Sequence, residues 1–136
     1  MSRLLIVALA ASGLAACAPG YDLQRSQHAA MQFDAELAGL VPGPRMNCLP
    51  PRSTANVVAA RDGVLLFREG HMVYANDTTG GCEDLADSHY AMVTENYGAG
   101  AVCRGTLAKV VDLTAGGLLR GTCVLGDFTP YRRPAR

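Results

Sequence analysis

The sequence predicts a mainly β fold: a small, disulfide-stapled antiparallel meander or barrel of about six strands, preceded by a short N-terminal helix. Three observations favour this fold. β-Branched and aromatic runs alternate with glycine-containing turns, four cysteines follow the first one, and helical spacing of apolar residues is confined to a segment before a proline cluster. Together they indicate one cross-linked β-domain behind a helix.

The segment 23–40 is predicted to be an amphipathic helix, because it holds few glycines and prolines and its apolar residues recur at helical spacing. These residues are Ala30, Phe33, Leu37 and Leu40. The sequence VPGPR at 41–45 then ends the helix, since proline cannot continue it. We expect VPGPR to be a hinge between a tether and helix at 17–45 and a separate β-domain at 46–131.

Within the β-domain, short strands are joined by tight turns. The predicted strands are 54–60, 64–69, 71–76, 90–95, 106–113 and 118–125. The sequences RDG and EG separate the first three strands and favour hairpins, which predicts a three-stranded antiparallel meander. All six strands together suggest a closed or half-open barrel, followed by a basic tail at 132–136.

The chain begins with the layout of a bacterial secretory leader. Arg3 supplies a positive start, and the apolar run 4–14 is shorter than the roughly 20 residues that a membrane-spanning helix needs. The sequence LAAC at 14–17 resembles the lipobox of bacterial lipoproteins, in which the thiol carries diacylglycerol, the chain is cut before the cysteine, and the new amino terminus is acylated. The resemblance implies a signal peptide at 1–16 and a lipidated Cys17.

A lipidated Cys17 would hold the protein on a membrane without spanning it, because two or more acyl chains anchor stably. Ala18 follows the cysteine where an aspartate would favour inner-membrane retention, which implies the outer membrane, on its periplasmic face. A plain signal peptide whose last residues precede an unmodified cysteine is the alternative.

The composition excludes several classes of function. Removing residues 1–16 from the 136 leaves 120, enough for one domain. The 12 basic and 12 acidic residues balance, and loss of Arg3 with the leader leaves a net charge of −1, so we expect no nucleic-acid partner. We also expect no cofactor, since no cofactor-binding motif is present.

Four cysteines remain if Cys17 is lipidated: Cys48, Cys82, Cys103 and Cys123. Their even number fits two disulfides in an oxidising compartment. Three connectivities are possible and the sequence does not choose among them; we prefer the nested pairing of Cys82 with Cys103 and Cys48 with Cys123. A structural zinc site is the alternative, but the spacings contain no C-x-x-C pair, so we expect no metal.

Several short motifs lie between residues 48 and 130. They are an opening cysteine, the hairpin residues Phe67, Arg68, Tyr74 and Asn76, two middle cysteines, and the closing sequence CVLGDFTP at 123–130. In these features the chain resembles a family of small exported proteobacterial proteins known as a domain of unknown function. The resemblance implies a shared fold and four structural cysteines, and no reaction, substrate or cofactor.

Candidate chemistry is concentrated in the acidic segment 77–89. Its titratable residues are Asp77, Glu83, Asp84, Asp87 and His89. Such residues could hold Ca²⁺ or perform acid–base hydrolysis, but the segment lacks the alternation of a calcium loop. Ser88 and His89 are adjacent, which rarely brings two side chains together, and the histidines lack metal-ligand spacing. We therefore expect a solvated loop and no catalytic residue.

These observations favour a lipid-anchored, non-enzymatic envelope module that binds an envelope protein or peptidoglycan. One alternative is an inhibitor of a periplasmic or cell-wall hydrolase. Another is an enzyme that uses the acidic segment 77–89. The basic tail, with Arg132, Arg133 and Arg136, could additionally contact an anionic surface.

Overall fold

The computed structural model describes residues 20–50, 56–95 and 100–135. Within these ranges the chain forms an α-helix, seven strands and a short 3₁₀ helix. Their bounds are α1 Gly20–Leu37, β1 Val41–Pro42, β2 Asn56–Arg61, β3 Val64–Glu69, β4 Met72–Thr78, the 3₁₀ helix Glu83–Ala86, β5 Tyr90–Thr94, β6 Leu107–Asp112 and β7 Leu118–Arg132. The predicted mainly β fold with a preceding helix is confirmed.

The strands form an antiparallel half-barrel in the order β2-β3-β4-β7-β6-β5, with β1 added beside β7. The three-stranded meander predicted for β2, β3 and β4 is present, and its first turn has positive φ at both Asp62 (51°) and Gly63 (79°). Such a turn matches the twist of a hairpin, and glycine adopts it at little cost. The local sequence was therefore enough to predict this part of the sheet.

Strand β7 joins two halves of the sheet, because its first part pairs with β6 and its second part with β4 and β1. We call β2, β3 and β4 the helix-side half, and β5, β6 and residues 118–125 of β7 the open half. Strand β7 continues to Arg132, well past the predicted end at residue 125. Gly126 permits this continuation, since a Cβ there would collide with the carbonyl oxygen of Asp77 on the neighbouring strand.

The concave interior of the half-barrel holds the main apolar core. Phe67 and Phe128 pack edge to face there, with ring centroids 5.8 Å apart, and Leu65, Tyr74 and Leu125 surround them. Asn76 is fully buried beside this core, where its side chain donates to the Gly126 carbonyl and accepts from the Gly126 amide. The hairpin residues Phe67, Tyr74 and Asn76 therefore meet the closing segment in the interior, whereas Arg68 is exposed on the outer face.

The 3₁₀ helix closes the gap of the half-barrel, because it packs against both edge strands, β2 and β5, and turns Leu85 into the core. The disulfide between Cys82 and Cys123 fixes it to β7. The other disulfide joins Cys48 to Cys103. The nested pairing that we preferred is therefore wrong.

The reason for the correction is a long-range pairing of segments. Cys48 lies opposite Cys103 in an antiparallel bridge, with the Leu49 amide donating to Val102 and the Arg104 amide donating to Asn47. This bridge brings the two thiols together. Cysteine spacing contains no information about which distant segments become neighbours.

The hinge expected at 41–45 is also corrected. Val41–Pro42 pairs with the end of β7, the Gly43 amide donates to Pro130 at 2.7 Å, and Met46 exchanges two backbone hydrogen bonds with Phe128. Prolines end helices but can lie in an edge strand, which makes these pairings possible. Helix α1 also ends earlier than predicted, at Leu37, because Gly39 takes a positive φ of 71° just beyond it.

Candidate functional site

The predicted lipidation residue, Cys17, lies outside the described residues, and so do residues 1–16 and Arg136. The described chain begins at Gly20, the first residue of α1. The position of α1 therefore determines which part of the domain lies close to a lipid on Cys17.

The second half of α1 is fixed to the outer face of the helix-side half. Phe33 is buried against Ala59, Leu66 and Val73, and the Gln32 side chain donates to the Val58 carbonyl at 2.8 Å. These contacts make the helix part of the domain and not a flexible tether.

Two ion pairs flank this packing. Arg61 pairs with Asp34 at 2.8 Å and lies over the Phe33 ring, with its guanidinium carbon 4.3 Å from the ring centroid. Arg68 pairs with Glu36 near the end of the helix. The side chains at 24 and 26–28, by contrast, are exposed. The contacts with β2, β3 and β4 therefore hold the helix through its C-terminal half.

The acidic segment 77–89 is divided by the fold. Asp77 lies at the end of β4 near Arg45, at 3.9 Å, whereas Asp87 pairs with His89, whose Nδ1 lies 2.6 Å from its carboxylate. Glu83 accepts a hydrogen bond from the Gly81 amide. The segment is thus tied to its own backbone and neighbours, and no three His, Cys, Asp or Glu side chains of the described residues are grouped to hold a metal ion.

A cleft of about 560 Å³ lies between α1 and the 3₁₀ helix. It brings His28, Gln32 and Ser26 from the helix next to Asp84, Asp87 and Ser88. The sequence analysis did not bring His28 together with the acidic segment, because that requires the packing angle of α1. His89, the base considered for Ser88, is engaged with Asp87 at the surface.

The basic tail is only partly free of the fold. Arg132 is the last residue of β7, and Arg133 lines a cleft of about 280 Å³ together with Arg68, His71 and Glu36. The sequence analysis placed Arg132 and Arg133 in a basic tail beyond the β-domain, because the extension of β7 to Arg132 was not expected.

The outer face of the open half is apolar and exposed. Leu107 lies opposite Val124, and Val93 lies opposite Lys109, whose ammonium group pairs with Glu95. Val93, Leu107 and Val124 are 45%, 42% and 38% exposed. Sequence reasoning missed this surface; the signal was the presence of apolar residues at both alternating positions of 106–113 and 118–125.

The turn between β6 and β7 carries the most exposed leucines of this half. We call residues 113–119, with the sequence LTAGGLL, the leucine tip. Its three leucines, Leu113, Leu118 and Leu119, are 59%, 57% and 54% exposed. Exposed apolar clusters of this kind mark contacts with other proteins or with membranes.

Asp112 organises the leucine tip from inside. Its Oδ1 accepts hydrogen bonds from the Thr114 amide at 2.9 Å, the Thr114 hydroxyl at 2.6 Å and the Ala115 amide at 3.1 Å. The Thr114 hydroxyl, with these backbone donors and Arg120, lowers the pKa of Asp112 against the opposing effect of burial. The carboxylate therefore stays charged while it faces its own turn.

No protein-family model, curated protein or solved structure matches the chain. In the part of the chain that the structure describes, no helix is both long and apolar enough to cross a bilayer.

Proposed function

We propose that this chain is a lipid-anchored cell-envelope protein, attached through Cys17 to the periplasmic face of the outer membrane, and that its β-domain is a non-enzymatic binding or structural module. The observation that carries the proposal is that four of the five cysteines form disulfides. Two disulfides use Cys48, Cys103, Cys82 and Cys123, so Cys17 is the one that remains, directly behind a lipobox-like sequence.

The rigid attachment of α1 supports this proposal. Because only two residues, Ala18 and Pro19, separate Cys17 from the start of α1 at Gly20, a lipid on Cys17 would hold the domain close to the membrane surface. The exposed apolar face of the open half supports a binding role, since a domain without a partner rarely exposes such a surface. The scattered acidic side chains, by contrast, give no reason to propose catalysis.

Intact-mass analysis of the protein purified from membranes tests the proposal. We expect a chain that begins at residue 17 and carries the mass of a diacylglycerol and an amide-linked acyl group. Alkylation before reduction should modify no cysteine, and alkylation after reduction should modify four. Cys17→Ser is the matched control and should leave the leader uncleaved. An unacylated mature chain, or a free thiol before reduction, would overturn the proposal.

The binding role has its own test. Lys109 is the only lysine of the sequence and lies on the outer face of the open half. An amine-reactive cross-linker applied to membranes should therefore link the acylated protein to an envelope partner through this residue. Lys109→Arg should abolish the product. A cross-linked product that persists in Lys109→Arg, or the absence of any product at Lys109, would argue against a partner on this face.

A further inference from the structure

We propose that the leucine tip is a second membrane contact, which enters the same leaflet that carries the lipid of Cys17 and so sets the orientation of the domain. This inference rests on the proposed lipid anchor. The occupant of the leucine tip is then the bilayer itself, and a second copy of the chain or an envelope protein is an outcome that the test must exclude.

The composition of the leucine tip suits a bilayer interface. The seven residues 113–119 contain no charge, and three of them are exposed leucines. Arg120 follows directly, is exposed, and could contact lipid phosphates while the leucines lie below it. The adjacent Asp112 is 9% exposed and directed at its own turn, so its charge does not face the phosphates.

Four backbone amides of the leucine tip donate to acceptors on neighbouring residues of the domain. Besides the two amides bonded to the Asp112 carboxylate, the Gly117 amide donates to the Asp112 carbonyl at 2.8 Å. The amide of Leu113, the first residue of the tip, donates to the His89 carbonyl at 2.9 Å. Bonded amides lower the cost of leaving water, because lipid offers them no partners.

The position of the leucine tip relative to the anchor follows from the same contacts. The hydrogen bond between Leu113 and His89 places the tip beside Ser88, which lines the cleft shared with His28 of α1. Gly20 lies eight residues before His28 in the same helix, or about 12 Å along its axis. The three residues from Gly20 back to Cys17 reach at most about 10 Å. The leucine tip therefore adjoins the segment that borders α1, the helix that leads back to Cys17.

Charged side chains on the segments that adjoin the leucine tip contact other charged or titratable groups. Asp87, on the segment that contains His89, lies against the His89 ring. Lys109 and Glu95 pair with each other further along the sheet. The Lys109 ammonium group is thus paired with a carboxylate, and the exposed Arg120 is the charged residue that directly follows the tip.

Because the sequence contains no tryptophan, a single introduced tryptophan reports the environment of one position. The test uses acylated Leu118→Trp, reconstituted into vesicles of phosphatidylethanolamine and phosphatidylglycerol with and without lipids brominated in the acyl chains. The matched control is Leu107→Trp, on the same hairpin but about 20 Å away along β6. Leu113→Trp is a second probe of the leucine tip, in case Leu118→Trp does not fold.

We expect a blue-shifted emission for tryptophan at 118 or 113, and several-fold stronger quenching by brominated lipid than at 107. Equal quenching at 118 and 107, or quenching at 118 by aqueous acrylamide alone, would overturn the proposal. A blue shift that is already present in detergent and coincides with a dimer would assign the leucine tip to a second copy.

The mass of each sample separates the two proposals. A sample without acyl groups removes the lipid anchor, and the second membrane contact with it. An acylated sample whose leucine tip stays in water removes only the second contact.

Discussion

The outer faces of the helix-side half and the open half differ in their exposure to solvent. In the helix-side half, Ala59, Leu66 and Val73 are 1%, 0% and 4% exposed because α1 covers them. In the open half, the equivalent face of Val93, Leu107 and Val124 stays largely accessible. Both faces are built from the same kind of alternating strand. The difference shows that similar alternating strands leave an apolar outer face buried where a helix packs on it and exposed where none does.

We expect the buried disulfide between Cys82 and Cys123 to contribute more to the free energy of unfolding than the disulfide between Cys48 and Cys103. On the chain-entropy model, each disulfide contributes about 4 kcal/mol to the free energy of unfolding, since the loops span 55 and 41 residues. Cys82→Ala/Cys123→Ala should lose more than Cys48→Ala/Cys103→Ala, because Cys82 and Cys123 are buried and their removal also leaves a cavity beside the 3₁₀ helix.

Urea denaturation of the two double variants, with the wild type alongside, measures the difference. Equal losses would mean that the 3₁₀ helix keeps its place between the edge strands without its bond to β7. A larger loss for the Cys48 and Cys103 pair would contradict the expectation outright.

One leucine from each outer face compares the two halves directly. Leu66→Ala removes a fully buried side chain beneath α1 and should lower the free energy of unfolding by about 2–5 kcal/mol. Leu107→Ala, at a strand position of the open half, should change it by no more than about 0.5 kcal/mol.

Denaturant titration of both variants without membranes provides the measurement. If Leu107→Ala is as destabilising as Leu66→Ala, the open face is covered in solution, and self-association of the chain becomes the first explanation to examine. If Leu66→Ala is neutral, α1 is not packed on the helix-side half.

The local parts of this fold could be read from the sequence, and the long-range parts could not. The Asp62-Gly63 turn and its flanking strands are specified within a few residues, so the meander was predictable. The partner of Cys48, in contrast, depends on a pairing between segments that lie 55 residues apart. No periodicity contains that information.

The sequence predicted the candidate surfaces only in part, because they too depend on long-range packing. The sequence contains apolar residues on both faces of β6 and β7, yet it does not predict that α1 packs on β2, β3 and β4 and leaves the outer face of β6 and β7 exposed. The cleft that joins His28 to Asp84 likewise exists only once α1 is docked. The three leucines of LTAGGLL were assigned to the ends of two strands on either side of the TAGG turn, and their exposure became evident only with the sheet in place.

The turn between β2 and β3 and the turn between β6 and β7 each have an aspartate, and the two side chains lie in opposite environments. In the helix-side half, the Asp62 side chain is 92% exposed, whereas Asp112 of the open half is directed inward onto Thr114. Because hydrogen bonding lowers the pKa of Asp112 below its ordinary value of 3.8, the carboxylate stabilises the folded state only while it is charged.

The sign of the pH dependence follows from that shift. The stabilisation by Asp112 is fully present above its unfolded-state pKa of 3.8 and is lost as the pH falls through the lower folded-state pKa. Asp112→Asn should therefore be less stable than the wild type near neutral pH, and the two midpoints of thermal unfolding should converge below about pH 3.8. Asp62→Asn controls for the loss of one negative charge at an exposed turn. A difference between wild type and Asp112→Asn that stays constant down to strongly acidic pH would mean that the carboxylate charge does not hold the leucine tip, and that the hydrogen-bond geometry alone is sufficient.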